Sequence, residues 1–223
     1  MNSSKLLVKF YTSDTSDIAP DEIVPVFHSW IQTRAIRDHL LIDVADYSHV
    51  PDGPGVVLVA REANIYLDHF DGRPGLSYAR KLPLAMPFEG QLTVVFHAAL
   101  EACTLLQEQF TRIRFRADQA MLQINDRLLA PNTPEMFAAL RPGLERFLTA
   151  IYPDATIKLD HRPDPKRLFE VKISVSPAPA DIKSILSRLT LSESARDRDA
   201  KAVAPSRPPV RAATSLPRFD AGL

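Results

Sequence analysis

The short spacing of three strand-like segments between residues 40 and 70 constrains the fold more than any other feature of this sequence. The segments are LLIDVAD (40–46), VVLVAR (56–61) and IYLDHF (65–70), and their apolar and β-branched residues are typical of strands. PDGPG (51–55) supplies a turn between the first two, and Ala63-Asn64 suits a tight turn before the third. Strands joined this closely run antiparallel, because a parallel crossover needs a dozen or more residues. The sequence therefore predicts a mainly antiparallel sheet rather than a doubly wound parallel one.

Further strands and helices are predicted on both sides of these segments. Strand patterns occur at residues 5–12, in two parts around Asp118-Gln119, and as a last hairpin at 156–160 and 168–175. Apolar periodicity predicts helices ending near Ile36, over about 91–110, from Pro134 onward and around 182–189. Asp71–Gly90 has no clear period and is predicted to be irregular. The predicted fold class is α+β, with helices packed on the sheet.

Two helices have recognisable start signals. In the first helix, Phe27, Trp30 and Ile31 would form the buried stripe, and Pro25 is placed in the first turn, where a missing N–H costs nothing. The sequence Asn132-Thr133-Pro134-Glu135 combines a cap residue, a proline and an acid near the positive helix end. These signals support the helical assignments on both sides of the central region.

The order strand, helix, strand, turn, strand occurs twice, in Lys5–Arg61 and Ala120–Val175. Each copy carries H-x-P-D at its turn, beginning at His49 and at His161, which are 112 positions apart. Such an offset is what a duplicated β-α-β-β unit would leave. Chance is the alternative, because histidine, proline and aspartate all suit turns.

The predicted organisation is a single α+β domain over residues 4–191, in which a duplication would give pseudo-repeated halves of about 5–90 and 91–191. From about residue 192 the chain is rich in Ala, Pro, Arg and Ser and poor in large apolar residues. Such a composition buries too little apolar surface to order the chain, so residues 192–223 are predicted to form a disordered tail.

Scarce glycine and balanced charge argue against several function classes. The chain has seven glycines among its 223 residues, and neither G-x-G-x-x-G nor G-x-x-x-x-G-K-[ST] occurs. Rossmann dehydrogenases and P-loop hydrolases are therefore not expected, and no nucleotide or other cofactor is predicted. Lys+Arg and Asp+Glu number 27 each, so no globally basic surface is available for nucleic acid.

Cysteine usage and apolar runs bear on the compartment. The single cysteine, Cys103, lies in an apolar helical run and is interpreted as a buried structural thiol. The N-terminal segment has only a short apolar run, so no signal peptide is expected. No apolar run approaches the ~20 residues that span a bilayer. The expected compartment is the cytoplasm, without a membrane partner.

The turn after the second strand is the first candidate site. Asp46, His49 and Asp52 form a polar cluster in which His49 and Asp46 are the candidate catalytic pair, able to move a proton. Asp52 is assigned to ligand binding. The alternative is that Asp52-Gly53 only builds the turn and His49 bonds locally.

The segment DGRPGLSYARK, residues 71–81, is the second candidate. Arginine and lysine side chains bind carboxylate or phosphate, and hydroxyls add directional donors. A loop with this composition is suited to binding an anion, the alternative being a solvated surface loop. The candidate ligand-binding residues here are Arg73, Ser77, Tyr78, Arg80 and Lys81.

His97 and Glu101 lie one helical turn apart, a spacing that could share a divalent metal ion. Glu108 lies two turns further on, but no third ligand is clearly placed. No metal site is therefore predicted.

The functional prediction joins the first two candidates. The connections at 46–55 and 71–81 should leave the sheet at the same end, so a small anionic ligand is expected between them. No activated nucleophile or cofactor motif is visible, so the sequence does not assign a reaction or decide whether the protein is an enzyme. The alternative is a non-catalytic interaction or scaffold protein that uses a terminal helix and tail, residues 181–223, to recruit a protein partner.

Overall fold

The strands of the computed structural model assemble into one eight-stranded sheet in the order β2-β3-β4-β5-β1-β6-β8-β7, and every neighbouring pair is antiparallel. The structure describes residues 5–13, 18–50, 53–69 and 71–191. The elements in these ranges are β1 (Leu6–Thr12), α1 (Pro20–Thr33), β2 (Leu41–Asp46), β3 (Val56–Ala60), β4 (Ala63–Asp68), β5 (Gly75–Arg80), α2 (Phe88–Gln109), β6 (Phe115–Ile124), α3 (Pro134–Ile151), β7 (Thr156–His161), β8 (Phe169–Ser176) and α4 (182–191).

Side-chain alternation along the strands gives the sheet two different faces. One row of register partners is apolar and lies on the face that the helices cover: Leu58, Ile65, Tyr78, Val8, Leu122 and Val171. The adjacent row lies on the opposite, helix-free face: Val57, Tyr66, Ser77, Lys9, Met121 and Lys172. The polar chemistry of the sheet is therefore concentrated on the face without helices.

Aromatic contacts hold the helices on the first face. Phe96 of α2 meets Phe10 of β1 edge-on at 5.7 Å between ring centroids, and it meets Phe147 of α3 at 4.9 Å. Edge-to-face pairs of this kind stabilise a core by about 0.5–1.5 kcal/mol beyond their buried area. Cys103 lies in the same core, fully buried, which confirms its interpretation as a buried thiol, and burial raises its pKa.

The terminal helix packs on the same side of the molecule. Ile182, Ile185 and Leu189 are buried in the common core. Lys183 pairs with Glu108 of α2, and Arg188 donates to the Ile151 carbonyl at the end of α3. The apolar stripe of α4 is therefore occupied within this chain. The predicted tail, residues 192–223, lies outside the described residues.

The α+β class with a mainly antiparallel sheet is confirmed, but three local predictions were wrong. Asp71–Gly90 is not irregular, since it contains all of β5 and the start of α2. The two strands expected around Asp118-Gln119 are one continuous strand, β6, in which Arg116 binds the Asp118 carboxylate at 2.8 and 3.1 Å. Pro25 is inside α1 rather than in its first turn, where Pro20 stands instead.

The structure does not confirm the internal duplication. The element order β-α-β-β does recur, but β8 pairs directly with β6, whereas β3 is separated from β1 by β4 and β5. The two H-x-P-D histidines also differ. His49 is exposed after β2, whereas His161 is stacked on Phe137 of α3 at 4.6 Å.

The connection between β2 and β3 folds against the end of β4. Tyr47 donates its backbone N–H to the Gly55 carbonyl at 2.8 Å, and Asp46 accepts from the Ser48 backbone at 2.8 Å. Gly55 has a φ of +67°, and a Cβ there would lie 2.7 Å from the Leu67 carbonyl oxygen. This position therefore requires glycine for two reasons, its backbone conformation and the close approach of β4.

No helix in the described parts of the chain has both the length and the apolar character needed to cross a membrane.

Gly55→Ala and Gly72→Ala form a matched pair that separates the effect of the left-handed backbone conformation from the effect of the close approach of β4. Both residues have positive φ, but nothing lies within 4 Å of a Cβ at Gly72. Gly72→Ala should lower the free energy of unfolding by about 1–2 kcal/mol, the cost of a left-handed conformation. Gly55→Ala should cost at least about 1 kcal/mol more because of the contact with β4. Urea denaturation measures both values, and equal losses would show that the β2–β3 connection is not packed on β4 as described.

Candidate functional site

A buried lysine is the centre of a charged network on the helix-free face. Lys9 lies in the middle of the central strand β1 and is fully buried. Its ammonium donates to Asp68 Oδ1 at 2.6 Å, to Asp71 Oδ1 at 2.7 Å and to the Arg73 carbonyl at 2.7 Å. An ammonium has three N–H groups, so every donor of Lys9 is used.

Hydroxyl groups donate hydrogen bonds to the second oxygen of each of these two carboxylates. Ser77 donates to Asp68 Oδ2 at 2.5 Å, and Tyr11 donates to Asp71 Oδ2 at 2.7 Å. Burial alone would raise the pKa of Asp71, but the hydrogen bonds from Lys9 and Tyr11 outweigh it and lower that pKa. Burial and the bond to Asp71 raise the pKa of Tyr11, so its phenol stays protonated. With one ammonium against two carboxylates the network carries one net negative charge, and its hydrogen bonds fix its geometry.

This network fixes Arg73 in the turn between β4 and β5. The Arg73 guanidinium lies 3.9 Å from the centroid of the Tyr11 ring and donates to Gln119 Oε1 at 2.7 Å. Arginine carries five N–H donors in a rigid plane, and stacking on an aromatic ring restricts its rotamers. Arg73 is therefore preorganised and keeps donors for a further acceptor.

The exposed side of Arg73 opens into what we call the basic pocket, with a volume of about 190 Å³. Its lining includes Tyr11, Arg73, Gln119, Lys158, Asp160, Lys172 and Ser174. Lys158 and Lys172 form no ion pair within the described residues. Asp160 is the one carboxylate in the lining there, and it lies 3.9 Å from Arg162 Nε. Three cations thus face one small pocket.

A second depression, which we call the apolar pocket, adjoins it on the same face and has a volume of about 270 Å³. Its walls include Leu7, Tyr66, Ala79, Met121, Gln123 and Pro54, and Lys9, Asp68 and Ser77 are also part of the lining. A larger depression of about 630 Å³ lies between α1 and the β2–β3 connection. Tyr47 and Ser48 contribute to its lining, which contains none of the predicted site residues.

The predicted proton-transfer pair lies outside these pockets. Asp46 and His49 are both exposed, at the end of β2 and in the turn that follows it. Hydrogen bonds from Ser48 lower the pKa of Asp46, with a small further effect from His49. The two side chains are thus electrostatic neighbours in open solvent. Asp52 lies outside the described residues, and the catalytic role of the pair stays a prediction.

The structure does not bring the predicted anion-binding residues together. Because β5 is a strand, Arg73 and Arg80 are seven residues apart along an extended chain, about 23 Å. Ser77 and Tyr78 point to opposite faces, Ser77 to the helix-free side and Tyr78 into the core. Lys81 is exposed beyond the end of β5. The segment 71–81 is thus largely a strand rather than a loop, and the assignment of these five residues to an anion stays a prediction.

Tyr78 and Arg80 belong instead to a network on the helix-covered side. His39 Nδ1 lies 2.7 Å from the Arg37 carbonyl, which only accepts, so this nitrogen carries the proton and Nε2 accepts from the Tyr78 hydroxyl at 2.8 Å. Arg80 donates to the same hydroxyl at 3.3 Å. Burial lowers the pKa of His39 and favours this neutral form. Tyr78 is fully buried, so the network holds structure rather than ligand.

Arg37 occupies the pair that could have held a metal. It donates its guanidinium N–H to His97 Nε2 at 2.9 Å and its backbone N–H to Glu101 at 3.3 Å. Burial, with the charge of Arg37, lowers the pKa of His97, while burial raises that of Glu101. Within the described ranges no three His, Cys, Asp or Glu side chains are grouped closely enough to hold a metal ion.

The Ser77 hydroxyl is engaged as a donor to the Asp68 carboxylate. Activating Ser77 would require Asp68 to take its proton. Asp68 is already bonded to the buried Lys9 ammonium, a contact that its protonation would weaken.

Sequence reasoning missed Lys9, Asp68, Asp71 and Gln123. The available signal was a lysine in the middle of an otherwise apolar strand, KLLVKFYT. No family model matches the chain, and a comparison with curated proteins found no significant match.

Lys9→Met should strongly destabilise the protein. It leaves Asp68 and Asp71 buried with no ammonium between them, and breaking a buried ion pair on one side costs about 3–5 kcal/mol. Adding Asp68→Asn should recover part of the loss by removing one uncompensated charge. Chemical denaturation of wild type, single and double variants checks this. A double variant less stable than Lys9→Met would contradict the assigned charges.

The depressed histidine pKa values predict acid sensitivity. His39, His97 and His161 all have folded-state pKa values below the ordinary 6.5, mainly through burial. The unfolded chain binds these protons more readily, so stability is complete above about pH 6.5 and falls as the pH drops through the folded values. His39→Gln should show a smaller loss than wild type between about pH 7.5 and about pH 5.5. His28→Gln, at an exposed position of α1, is the control and should keep the wild-type slope.

Proposed function

We propose that this protein binds a small anionic ligand, bearing phosphate or carboxylate, in the basic pocket on the helix-free face of its sheet. The observation that carries the proposal is the fixed guanidinium of Arg73, stacked on Tyr11 and bound to Gln119 with donors remaining. A guanidinium held in this way loses little side-chain entropy when it binds a carboxylate or phosphate.

Charge in and around the pocket supports an anion. Lys158 and Lys172 add two ammonium groups from the neighbouring strands β7 and β8, and the Ser174 hydroxyl is a further donor. Asp118 is close enough to Arg73 for the two charges to interact, but Arg116 binds its carboxylate directly. Asp118 thus has its own cationic partner, and the lining of the pocket carries three cations against the one carboxylate of Asp160.

The proposal concerns binding and assigns no reaction. The proton-transfer pair Asp46 and His49 is exposed at the edge of the sheet and absent from the lining of the basic pocket. A cytoplasmic location remains part of the proposal, and the free buried thiol of Cys103 is compatible with it.

Titration of the full chain with inorganic phosphate tests the proposal. Calorimetry at constant ionic strength, with chloride replacing phosphate in the blank, removes general screening effects. Arg73→Gln should weaken phosphate binding at least tenfold, about 1.4 kcal/mol, because the stacked cation is lost. Arg141→Gln removes the same charge from the exposed side of α3 and should bind like wild type.

Two results would overturn this assignment. Equal binding by wild type and Arg73→Gln would remove the basic pocket as the site. If Arg80→Ala weakens phosphate binding instead, the anion binds at the other end of β5. If wild type binds neither phosphate nor acetate, the alternative of a non-catalytic interaction or scaffold protein would replace the anion-binding proposal. Deleting residues 192–223 should then abolish capture of the protein partner.

A further inference from the structure

The apolar pocket is lined by one largely buried polar side chain whose amide finds no partner in the described part of the chain. Gln123 of β6 is 7% exposed and lines this pocket, yet its amide makes no hydrogen bond within the described residues. The fully buried side-chain atoms without a partner in the described chain are Asn64 Oδ1 and Thr104 Oγ1, so the Gln123 amide keeps contact with the pocket space. Gln123 therefore offers the two N–H groups and the carbonyl oxygen of its amide to whatever occupies the pocket.

Tyr66 adds a second polar group to the lining of the apolar pocket. Its ring lines the apolar pocket, and its hydroxyl has no hydrogen-bond partner in the described chain. Burial raises the pKa of Tyr66, so the hydroxyl remains protonated and can donate. Leu7, Ala79 and Met121 form the surrounding apolar surface. Lys5, Lys9, Asp68, Ser77, Arg80 and Asn125 also line the pocket, so it combines an apolar wall with several polar groups, two of which, Gln123 and Tyr66, have no side-chain partner in the described chain.

The two pockets are neighbours on the helix-free face, although they have no lining residue in common. Met121 of the apolar pocket is the register partner of Lys172 of the basic pocket, and such partners have Cβ atoms about 5 Å apart. Lys9 and Tyr11, which line the two pockets, are two residues apart on β1 and point to the same face. A single molecule can therefore reach from Gln123 to the cations.

We infer that the ligand is an amphiphilic anion: a phosphate or carboxylate on a short apolar chain or single ring that carries one hydrogen-bonding group. The head binds Arg73, Lys158 and Lys172, the body fills the apolar pocket, and Gln123 with Tyr66 binds the polar group of the body. This inference rests on the proposed function of the basic pocket and specifies its ligand class.

The size of the apolar pocket limits the body. Its volume is about 270 Å³, and one water molecule takes about 30 Å³ in the liquid. The pocket therefore accommodates a body of fewer than about ten heavy atoms. A free short-chain ligand fits this volume, whereas the long tails of membrane lipids do not.

A chain-length series tests the inference on the full chain. Wild type should bind octyl phosphate at least about 100-fold more tightly than inorganic phosphate, with butyl phosphate between them, since each buried methylene adds affinity. Ala79→Phe fills the apolar pocket and should remove most of this gain while leaving binding of inorganic phosphate unchanged. Arg73→Gln should weaken binding of all three compounds.

The outcomes separate this inference from the proposed function. Arg73-dependent binding of inorganic phosphate with no gain from chain length overturns the inference and leaves the proposed function standing. Loss of Arg73 dependence overturns the proposed function. Octyl phosphate binding that Ala79→Phe does not weaken also overturns the inference. Sedimentation with phosphatidic acid vesicles should show no binding, and binding there would overturn the assignment to a free short-chain ligand.

The role of Gln123 has its own readout. An analogue of octyl phosphate in which an amide replaces two methylenes should bind wild type at least as tightly as octyl phosphate does. Gln123→Leu should reverse this order, because the amide then enters an apolar pocket with one partner fewer. If Gln123→Leu changes the affinities for octyl phosphate and for its amide analogue by the same factor, Gln123 does not recognise a polar group.

Discussion

The charge on Lys9 must be neutralised inside the sheet, and much of the architecture follows from this requirement. A buried ammonium is stable only with counter-charges and with every N–H group bonded. The counter-charges come from Asp68, at the end of β4, and Asp71, in the next turn. The Arg73 carbonyl accepts the remaining N–H group of Lys9. The turn between β4 and β5 is thereby folded over β1, and the Arg73 side chain is placed beside Tyr11. The surface proposed to bind an anion is thus a consequence of bonding one buried lysine.

Placing all four described helices on one side leaves the other face of the sheet to small molecules or solvent. A sheet face without helices usually becomes polar and wet. Here its centre is instead enclosed, with Met121 and Tyr11 each 2% exposed, because the β4–β5 turn and the β2–β3 connection reach over it. Such partial cover produces pockets rather than a flat surface. The lining of these pockets changes along the face from apolar at Met121 to cationic at Lys158.

Local patterns identified most elements but not their arrangement. The meander from β2 to β4, the cap at Thr133 and the stripe of α4 were predicted from spacing and residue type alone. β5 was missed because GLSYAR lies between prolines and glycines, and its burial on both faces hides the alternation that marks a strand. β6 was divided in two because Asp118-Gln119 resembles a turn, although Arg116 neutralises the aspartate within one strand. Arg73 was singled out from the sequence as a candidate anion-binding residue, a role that stays a prediction, and its pocket neighbours Lys158 and Lys172 are 85 or more residues away in sequence. Only the sheet order brings them together.

The position of β1 also has a consequence for biosynthesis. The first strand of the chain lies in the interior of the sheet, and its partners are made much later: Leu7 pairs with Ala79, and Val8 pairs with Leu122. At a ribosomal rate of about 5–20 residues per second, β6 follows β1 by roughly 6–23 seconds. Both edges of β1 lack a partner until β5 has been made, and one edge stays open until β6 follows. The apolar side chains of β1 therefore reach their final burial only when the second half of the sheet has been synthesised.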